Sequence, residues 1–334
     1  MTASKRLVSL DALRGLAALA VVAFHYSFRI REMYPAALPA PISFPHGHYG
    51  VHLFFLISGF VILMSLERRH AKGFPRARFF RLYPVFWASL LLTTIVISIA
   101  PPVRSVSALQ FLGNVTMAAD YFRIENIDGV YWSLAYELGF YAFMYAVYRL
   151  GKQRWVPLLP MLWIASAAAF QALAPYIPAP LHYLLMIHNY AHLFACGLVF
   201  YFIWRDGMRW RYGALLAAGV AVQAMIFGFE GAAALAISMG LFALALRPEA
   251  ARLPGLALLT WFGAISYALY LTHQEIGYRL ILALQALGAG WLVSVAAAFA
   301  VMIGVATALT YGVEKPAQRR FAKARQKQEI EKAN

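Results

Sequence analysis

The stretch SLDALRGLAALAVVAFHYSF, residues 9–28, is long and apolar enough to cross a lipid bilayer as a helix. It nevertheless carries three ionisable side chains, Asp11, Arg14 and His25. A charged side chain at the centre of a bilayer costs about 2.5–3.5 kcal/mol on insertion scales. Because such residues are costly to keep, we interpret this helix as part of a functional site inside a membrane.

The composition of the whole chain indicates a membrane protein. Of its 334 residues, 62% are hydrophobic and 13% are charged, whereas a soluble domain carries about 25% charged residues. The net charge of +15 could indicate a nucleic-acid partner, but its distribution favours a membrane surface and we expect no nucleic acid. The single cysteine, Cys196, excludes a disulfide framework and is interpreted as a small buried hydrophobe.

The apolar segments predict an all-α polytopic membrane protein with about ten transmembrane helices. The least certain boundary separates the seventh and eighth segments, where Phe229-Glu230-Gly231 is the only break. The ten predicted segments are 9–28, 49–66, 79–100, 131–149, 156–173, 185–204, 212–229, 231–246, 256–273 and 290–312.

The distribution of Lys and Arg predicts that both termini are cytoplasmic, since these residues accumulate in cytoplasmic loops. With that orientation 23 of the 29 Lys and Arg residues lie inside and 5 lie outside, and Arg14 lies within the first helix. We therefore expect a transmembrane domain over residues 1–314. Residues 315–334 would form a basic cytoplasmic tail on the anionic inner leaflet.

The first helix places two ionisable residues on one face. Arg14 and His25 are 11 residues apart, which corresponds to three turns and about 16 Å along the axis. With the N-terminus inside, Arg14 lies near the cytoplasmic end, where Asp11 can pair with it, and His25 lies near the outer end. The alternatives are an arginine that reaches the interface and a histidine that is satisfied structurally.

The fourth predicted helix carries a carboxylate at a similar depth to His25. Ser133, Glu137 and Tyr141 recur every four residues and share a face. A glutamate in lipid needs a partner, and we expect His25 to supply it. A structural contact of Glu137 with an arginine or a tyrosine is the alternative.

Two further groups complete a polarised arrangement. Ser266, Tyr270 and His273 share a face of the ninth predicted helix, with His273 at its outer end; an interfacial belt of tyrosine and histidine is the alternative. Arg78 and Arg81 lie at the cytoplasmic mouth of the third helix and could form an anion site with Arg14, since the forked donors of arginine suit phosphate.

Several short stretches resemble acyltransferase family 3, the bacterial integral-membrane O-acyltransferases. RLVSLDALRGLAALAVVAFHY, residues 6–26, is similar to the first helix of that family, which has an arginine and, after ten intervening residues, a histidine. The matches occur in order over nearly the whole chain. The others are GVHLFFLISGF (50–60), RFFRLYPVFW (78–87), WSLAYELGFY (132–141), ISYALYLTH (265–273) and EKP (314–316).

The resemblance implies transfer of an acyl group, commonly acetyl, from cytoplasmic acyl-CoA to a hydroxyl of a sugar, polysaccharide or lipopolysaccharide at the bacterial inner membrane. Arg14, Arg78 and Arg81 would bind the phosphates of acyl-CoA, which is a co-substrate and not a bound cofactor. One departure concerns the second stretch, where His52 takes a place that is usually acidic, so the choice of carbohydrate or glycolipid acceptor could differ.

The predicted chemistry centres on His25 as general base towards the acceptor hydroxyl or, alternatively, as acyl carrier. Glu137 would orient the imidazole, as the acid does in a catalytic triad. No metal site is predicted, and the oligomeric state is not readable from the sequence. Channel or acceptor-binding roles are predicted for Ser58 (in the SGF turn of the second helix), His52, Trp132, Tyr270 and His273.

Two other function classes were weighed. A transporter of an anionic or glycan-linked substrate would suit many helices with buried charges, and Gly59 and Pro84 could interrupt helices as in carriers. Against it, the sequence shows neither paired broken helices nor an internal repeat. A non-catalytic scaffold would leave the alignment of Arg14, His25 and Glu137 unexplained.

Overall fold

A computed structural model describes residues 8–68, 73–178, 181, 186–252 and 254–331. Every regular element within these residues is helical, so the predicted all-α class is confirmed for the part of the chain described. The chain forms two compact units, which are described separately. Unit 1 comprises Met1–Phe24, Phe44–Arg68 and Ser133–Ala264, and unit 2 comprises His25–Ser43, Arg69–Trp132 and Ile265–Asn334.

The described α-helices are numbered in chain order. The π-helical turns His25–Arg29 and Thr310–Glu314 follow α1 and α11 directly. The α-helices are α1 (Val8–Phe24), α2 (Ile30–Met33), α3 (Gly50–Arg68), α4 (Phe74–Ile99), α5 (Ala108–Val115), α6 (Trp132–Arg149), α7 (Leu159–Leu173), α8 (Ala191–Asp206), α9 (Trp210–Ala245), α10 (Leu256–Ala286), α11 (Trp291–Leu309) and α12 (Lys315–Glu331).

Seven helical segments of the described residues are long and apolar enough to cross a membrane. The protein is therefore a multi-pass membrane protein. The segments are Val8–Met33, Pro45–Glu67, Phe74–Ile99, Gln153–Tyr176, Trp210–Ala245, Leu256–Ala286 and Trp291–Lys323.

The structure has seven candidate membrane spans and the sequence predicted ten, and the difference arises at three helices. Helix α6 contains Glu137 and several tyrosines, which lower its mean hydropathy, and α8 has only 16 residues. Helix α9 has 36 residues and would be about 54 Å long if straight, far more than the roughly 30 Å hydrocarbon layer. Gly228 interrupts it with φ 70° and ψ −172°, just before the predicted break. The number of spans and the cytoplasmic termini stay predictions.

Two sequence-based placements were wrong. Helix α10 continues to Ala286, so His273 is not at its outer end but in its interior, with no exposed surface. Ser58 lies within helix α3, which corresponds to the second predicted helix. Gly59 and Pro84, proposed as interruptions of a carrier, lie within the continuous helices α3 and α4.

A close backbone approach in unit 1 joins α3 and α8. A Cβ atom on Gly59 would lie 2.2 Å from the carbonyl oxygen of Phe194, and one on Gly197 would lie 2.2 Å from that of Leu56. Small residues allow helices in membranes to approach this closely. Cys196, beside this crossing, is fully buried as predicted.

In unit 2, the basic tail forms a helix that packs on α4. The ring of Phe321 in α12 stacks on Phe80 with centroids 5.1 Å apart, and the guanidinium of Arg76 lies 5.6 Å from the same ring. The middle of α4 is fixed to the C-terminal end of α5, because Tyr83 and Trp87 donate hydrogen bonds of 3.0 Å to the backbone carbonyls of Thr116 and Val115, respectively.

Candidate active site

A π-helical turn presents the candidate base. Helix α1 is regular to Phe24, and the turn His25–Arg29 follows without interruption. Such π-helical turns are rare and occur frequently at functional sites. His25 is 9% exposed and Tyr26 is 2% exposed, so the first two residues of the turn are buried.

The imidazole of His25 pairs with that of His273. Their Nδ1 and Nε2 atoms, respectively, are 3.2 Å apart, and the rings meet edge to face with centroids 4.8 Å apart. His273 was predicted as a channel or acceptor residue. The structure places it instead in direct contact with the predicted base.

The hydrogen bonds of His273 determine the tautomer of both rings. Its Nδ1 atom lies 3.1 Å and 2.9 Å from the carbonyl oxygens of Leu269 and Tyr270. Because a carbonyl only accepts, His273 carries its proton on Nδ1, and its Nε2 is an acceptor in the neutral ring. His25 must then donate from Nδ1, which leaves the basic lone pair on its Nε2. A general base in a catalytic triad has the same tautomer.

Tyrosine hydroxyls tie the histidine pair to the surrounding backbone of unit 2. Tyr26 donates to the carbonyl oxygen of His273 at 2.8 Å, and Tyr270 donates to that of Val130 at 3.0 Å. The hydroxyl of Tyr270, predicted to line a channel, therefore binds the segment that precedes α6. Trp132, the first residue of α6, is half-buried.

A cluster of charged side chains includes Glu275, which is two residues after His273 in the sequence. The Asp128 carboxylate accepts hydrogen bonds from the backbone N–H groups of Val130 (3.1 Å) and Glu275 (3.2 Å). The Glu275 carboxylate in turn lies 3.3 Å from Arg279 and 3.8 Å from Arg104. These contacts fasten the connection between α4 and α6 to α10.

Burial is the main reason why the pKa of Asp128 is raised above its ordinary value, and the nearby Glu275 carboxylate adds to the shift. The two backbone N–H groups and Arg104 oppose it. Since the folded state holds this proton more tightly than the unfolded chain, the contribution of Asp128 to stability is largest at acidic pH. It is lost as the pH rises through the raised pKa.

We therefore expect the thermal stabilities of the wild type and of Asp128→Asn to diverge with pH. The asparagine variant cannot ionise, so between pH 5 and pH 8 the melting temperature of the wild type should fall relative to that of the variant. Scanning fluorimetry in detergent at both pH values measures this. A difference in melting temperature that does not change with pH would contradict the expectation.

In unit 1, Glu137 is held by two hydroxyl groups. Ser58 Oγ donates to Glu137 Oε1 at 2.5 Å, and the Tyr141 hydroxyl donates to the same oxygen. The second bond confirms that Glu137 and Tyr141 share a face of α6. A contact between Glu137 and tyrosine was the structural alternative in the sequence analysis. The predicted pairing of Glu137 with His25, which belongs to unit 2, stays a prediction.

A second buried histidine pair in unit 1 is bridged by an amide. Gln223 Nε2 donates to His52 Nδ1 at 2.9 Å, and its Oε1 accepts from His192 Nε2 at 2.6 Å. His52 is 3% exposed, whereas His192 and Gln223 have no exposed surface. His52, which stands where the family usually has an acid, is thus a hydrogen-bonded residue that links α3 to α9.

Replacing Gln223 by leucine should destabilise unit 1. The change removes the partner of two buried imidazoles at once, and a buried polar group without a partner costs about 1–3 kcal/mol. We expect the free energy of unfolding to fall by at least that amount in chemical denaturation. Met239→Leu on the same helix is the control and should stay within about 1.5 kcal/mol of the wild type. An equal effect of both changes would contradict this account.

The three arginines predicted to bind acyl-CoA are half-buried. Arg14 lies in α1 of unit 1, whereas Arg78 and Arg81 lie in the first turns of α4 in unit 2. The guanidinium of Arg78 lies 5.4 Å from the ring of Phe74. A common anion site formed by the three residues stays a prediction. Among the described residues, no group of three or more His, Cys, Asp or Glu side chains could hold a metal ion.

Comparison with known families decides the identity of the domain. A family model described as an acyltransferase domain matches residues 7–311. The chain belongs to acyltransferase family 3. The resemblance predicted from six short stretches is therefore confirmed. No curated protein and no solved structure matched the chain significantly.

The match to acyltransferase family 3 includes both histidines of the pair and ends before the basic tail. The sequence analysis identified His25 and His273 separately but missed their contact, because it ended the ninth helix at His273. It also missed Asp128, Glu275 and Gln223. The signal that could have found Gln223 is an uncharged polar residue inside an otherwise apolar segment.

Proposed function

We propose that this protein is a membrane O-acyltransferase. It moves an acyl group, acetyl in the first instance, from acyl-CoA to a hydroxyl of a sugar or glycan. The observation that carries the proposal is the buried His25–His273 pair, whose hydrogen bonds leave a basic Nε2 on His25. Family membership supplies the reaction class.

The pair suits acyl transfer by general-base catalysis. His25 Nε2 takes the proton of the acceptor hydroxyl as the oxygen attacks the thioester carbonyl carbon. The new C–O bond forms, and the C–S bond breaks when the tetrahedral intermediate collapses. The departing thiolate takes the proton from the His25 imidazolium, so CoA leaves as a thiol and the imidazole is restored. His273 orients the ring and accepts from its Nδ1–H throughout.

Glu137 remains a proposed catalytic residue with a changed role. His273 already accepts from His25 Nδ1, so no carboxylate is required to orient that ring. The Glu137 carboxylate carries two hydroxyl donors on one oxygen. Its other oxygen is suited to accept a hydrogen bond from an acceptor hydroxyl. Ser58 then acts by positioning Glu137.

The proposed sidedness follows the positive charges. With cytoplasmic termini, Arg14, Arg78 and Arg81 belong to the side where acyl-CoA is found, and their forked donors suit its phosphates. The acceptor hydroxyl then belongs to a carbohydrate or glycolipid on the opposite side of a bacterial inner membrane. With the same orientation, the helix α12, which forms most of the basic tail, would lie on the anionic inner leaflet.

A transporter is the second candidate function, and the break in α9 at Gly228 is the observation in its favour. A carrier of this kind would use paired broken helices at midplane. The unbroken path of α3 through Gly59 and of α4 through Pro84 argues against this mechanism.

Inside-out membrane vesicles separate the two functions. They are supplied with acetyl-CoA labelled in the acetyl group, together with the lipid-linked and surface glycans of a bacterial host. Label in a base-labile ester on glycan, formed only when the protein is present, is the expected result. Uptake of label without ester formation would favour the transporter.

A further inference from the structure

We propose that the hydroxyl of Tyr278 donates a hydrogen bond to the acyl carbonyl oxygen during transfer and stabilises the oxyanion that develops there. This inference rests on the proposed acyltransferase function and adds a catalytic residue to it. It starts from a buried hydroxyl in unit 2 for which the described protein atoms offer no partner.

The hydroxyl of Tyr278 is buried and has no hydrogen-bond partner among the described residues. The whole side chain has no exposed surface. A buried hydroxyl without a partner loses its bonds to water, and nearly all such groups in native proteins are satisfied. An orphaned donor of this kind therefore indicates a partner outside the described residues, and we assign that place to the substrate.

The position of Tyr278 connects this donor with the candidate base. Its ring centroid lies 6.2 Å from that of His25 and 6.5 Å from that of Tyr26. Acyl transfer needs a point about 3 Å from both the activated oxygen and the oxyanion donor. Two rings at this separation can share such a point, with the acyl carbonyl between them.

The neighbouring tyrosines are distinguished from Tyr278 by their hydrogen bonds. Tyr26 donates to the His273 carbonyl oxygen at 2.8 Å, Tyr131 donates to that of Leu271 at 3.5 Å, and Tyr34 accepts from Arg279 at 2.5 Å. The O–H donors of Tyr26 and Tyr131 are thus used by backbone carbonyls, and the oxygen of Tyr34 is used by Arg279. Tyr278 therefore offers the hydroxyl donor that the proposed reaction needs at the acyl carbonyl oxygen.

The chemistry of a neutral phenol fits this role. As the acceptor oxygen attacks, the carbonyl oxygen of the thioester gains negative charge, and a hydrogen-bond donor fixed at that point stabilises the transition state. The phenol keeps its proton and donates throughout, so no proton transfer is added to the mechanism. The fixed donor acts in a site that excludes water, where its effect is greatest.

The test compares Tyr278→Phe with Tyr131→Phe in the full-length protein reconstituted in lipid. The first change removes only the orphaned hydroxyl. We expect kcat for acetyl transfer to fall about 10²–10³-fold, as on loss of one oxyanion donor, with KM for acetyl-CoA and the melting temperature unchanged. Tyr131→Phe removes a hydroxyl bound to the backbone, so it should lower the melting temperature and leave kcat near the wild-type value.

An infrared measurement tests the proposed hydrogen bond directly and does not require catalytic turnover. The carbonyl of a bound, unreactive ketone analogue of acetyl-CoA should vibrate at higher frequency in Tyr278→Phe than in the wild type, because a hydrogen bond is lost. If the wild type is active, the Tyr278→Phe variant is equally active and the carbonyl frequency does not shift, this inference is overturned. The proposed function then still stands. A wild type that transfers no acetyl group would overturn both.

Discussion

Replacing His25 by glutamine should lower acyl transfer by about 10²–10⁴-fold, the usual contribution of a general base. Glutamine keeps a polar side chain of similar size that carries an amide N–H donor. It has no nitrogen that takes up a proton near neutral pH. The loss should therefore appear in kcat, with little change in KM for acyl-CoA, because binding and transition-state chemistry are affected differently. Initial rates at saturating acyl-CoA measure it.

His48→Gln is the matched control for this substitution. His48 donates from Nδ1 to the carbonyl oxygen of Pro45 at 2.8 Å in a short helical turn of unit 1, and it has no role in the proposed chemistry. We expect its kcat to stay near that of the wild type. Full activity of His25→Gln, with normal insertion in the membrane, would exclude His25 as the base.

The second large effect is expected at His273, which acts as a positioning residue. Leucine at this position fills a similar volume but offers no acceptor to His25 Nδ1. The imidazole could then adopt the other tautomer, with a proton on Nε2, where it cannot act as a base. In a serine-protease triad the wrong tautomer costs about 10⁴-fold in kcat, so we expect a loss of up to that size in His273→Leu.

His273→Gln distinguishes positioning from simple packing. The glutamine side chain can present an amide oxygen to His25 Nδ1, so it should recover a substantial part of the activity that the leucine variant loses. Both variants should bind acyl-CoA with the wild-type KM. Equal kcat values for the two variants would show that the acceptor at this position does not matter, and the tautomer argument would fail.

The sequence was sufficient to predict the all-helical class and the family, because both depend on local patterns. Apolar segments of membrane length and six short stretches in order led to an all-helical acyltransferase family 3 protein. His25 was identified because an ionisable residue in an apolar helix is costly. These inferences needed no knowledge of which helices are neighbours.

The histidine pair could not be predicted from the sequence, because it depends on which helices are neighbours. Apolarity falls after His273, where Gln274, Glu275 and Arg279 follow, so the helix was expected to end at His273. These polar residues are buried because Asp128 and Arg104, far away in the sequence, contact the same part of α10. A tertiary contact thus keeps the helix intact, and only the fold reveals that the His273 ring faces His25.

The same reasoning explains what was missed in unit 1. The role of His52 depends on Gln223 and His192, which come from two other helices. The break in α9 was expected from the polar Glu230, but the backbone changes direction at Gly228, where a positive φ is tolerated without strain.

The most direct test of the central claim uses acetyl-CoA that carries one label in the acetyl group and another in the CoA portion. The purified protein is reconstituted in liposomes with a glycan acceptor, and the wild type is compared with His25→Gln. The account predicts that the wild type releases one labelled CoA thiol for each acetyl ester formed and that His25→Gln forms almost none. Ester formation by His25→Gln at the wild-type rate, or passage of intact acetyl-CoA through the membrane without ester formation, would contradict it.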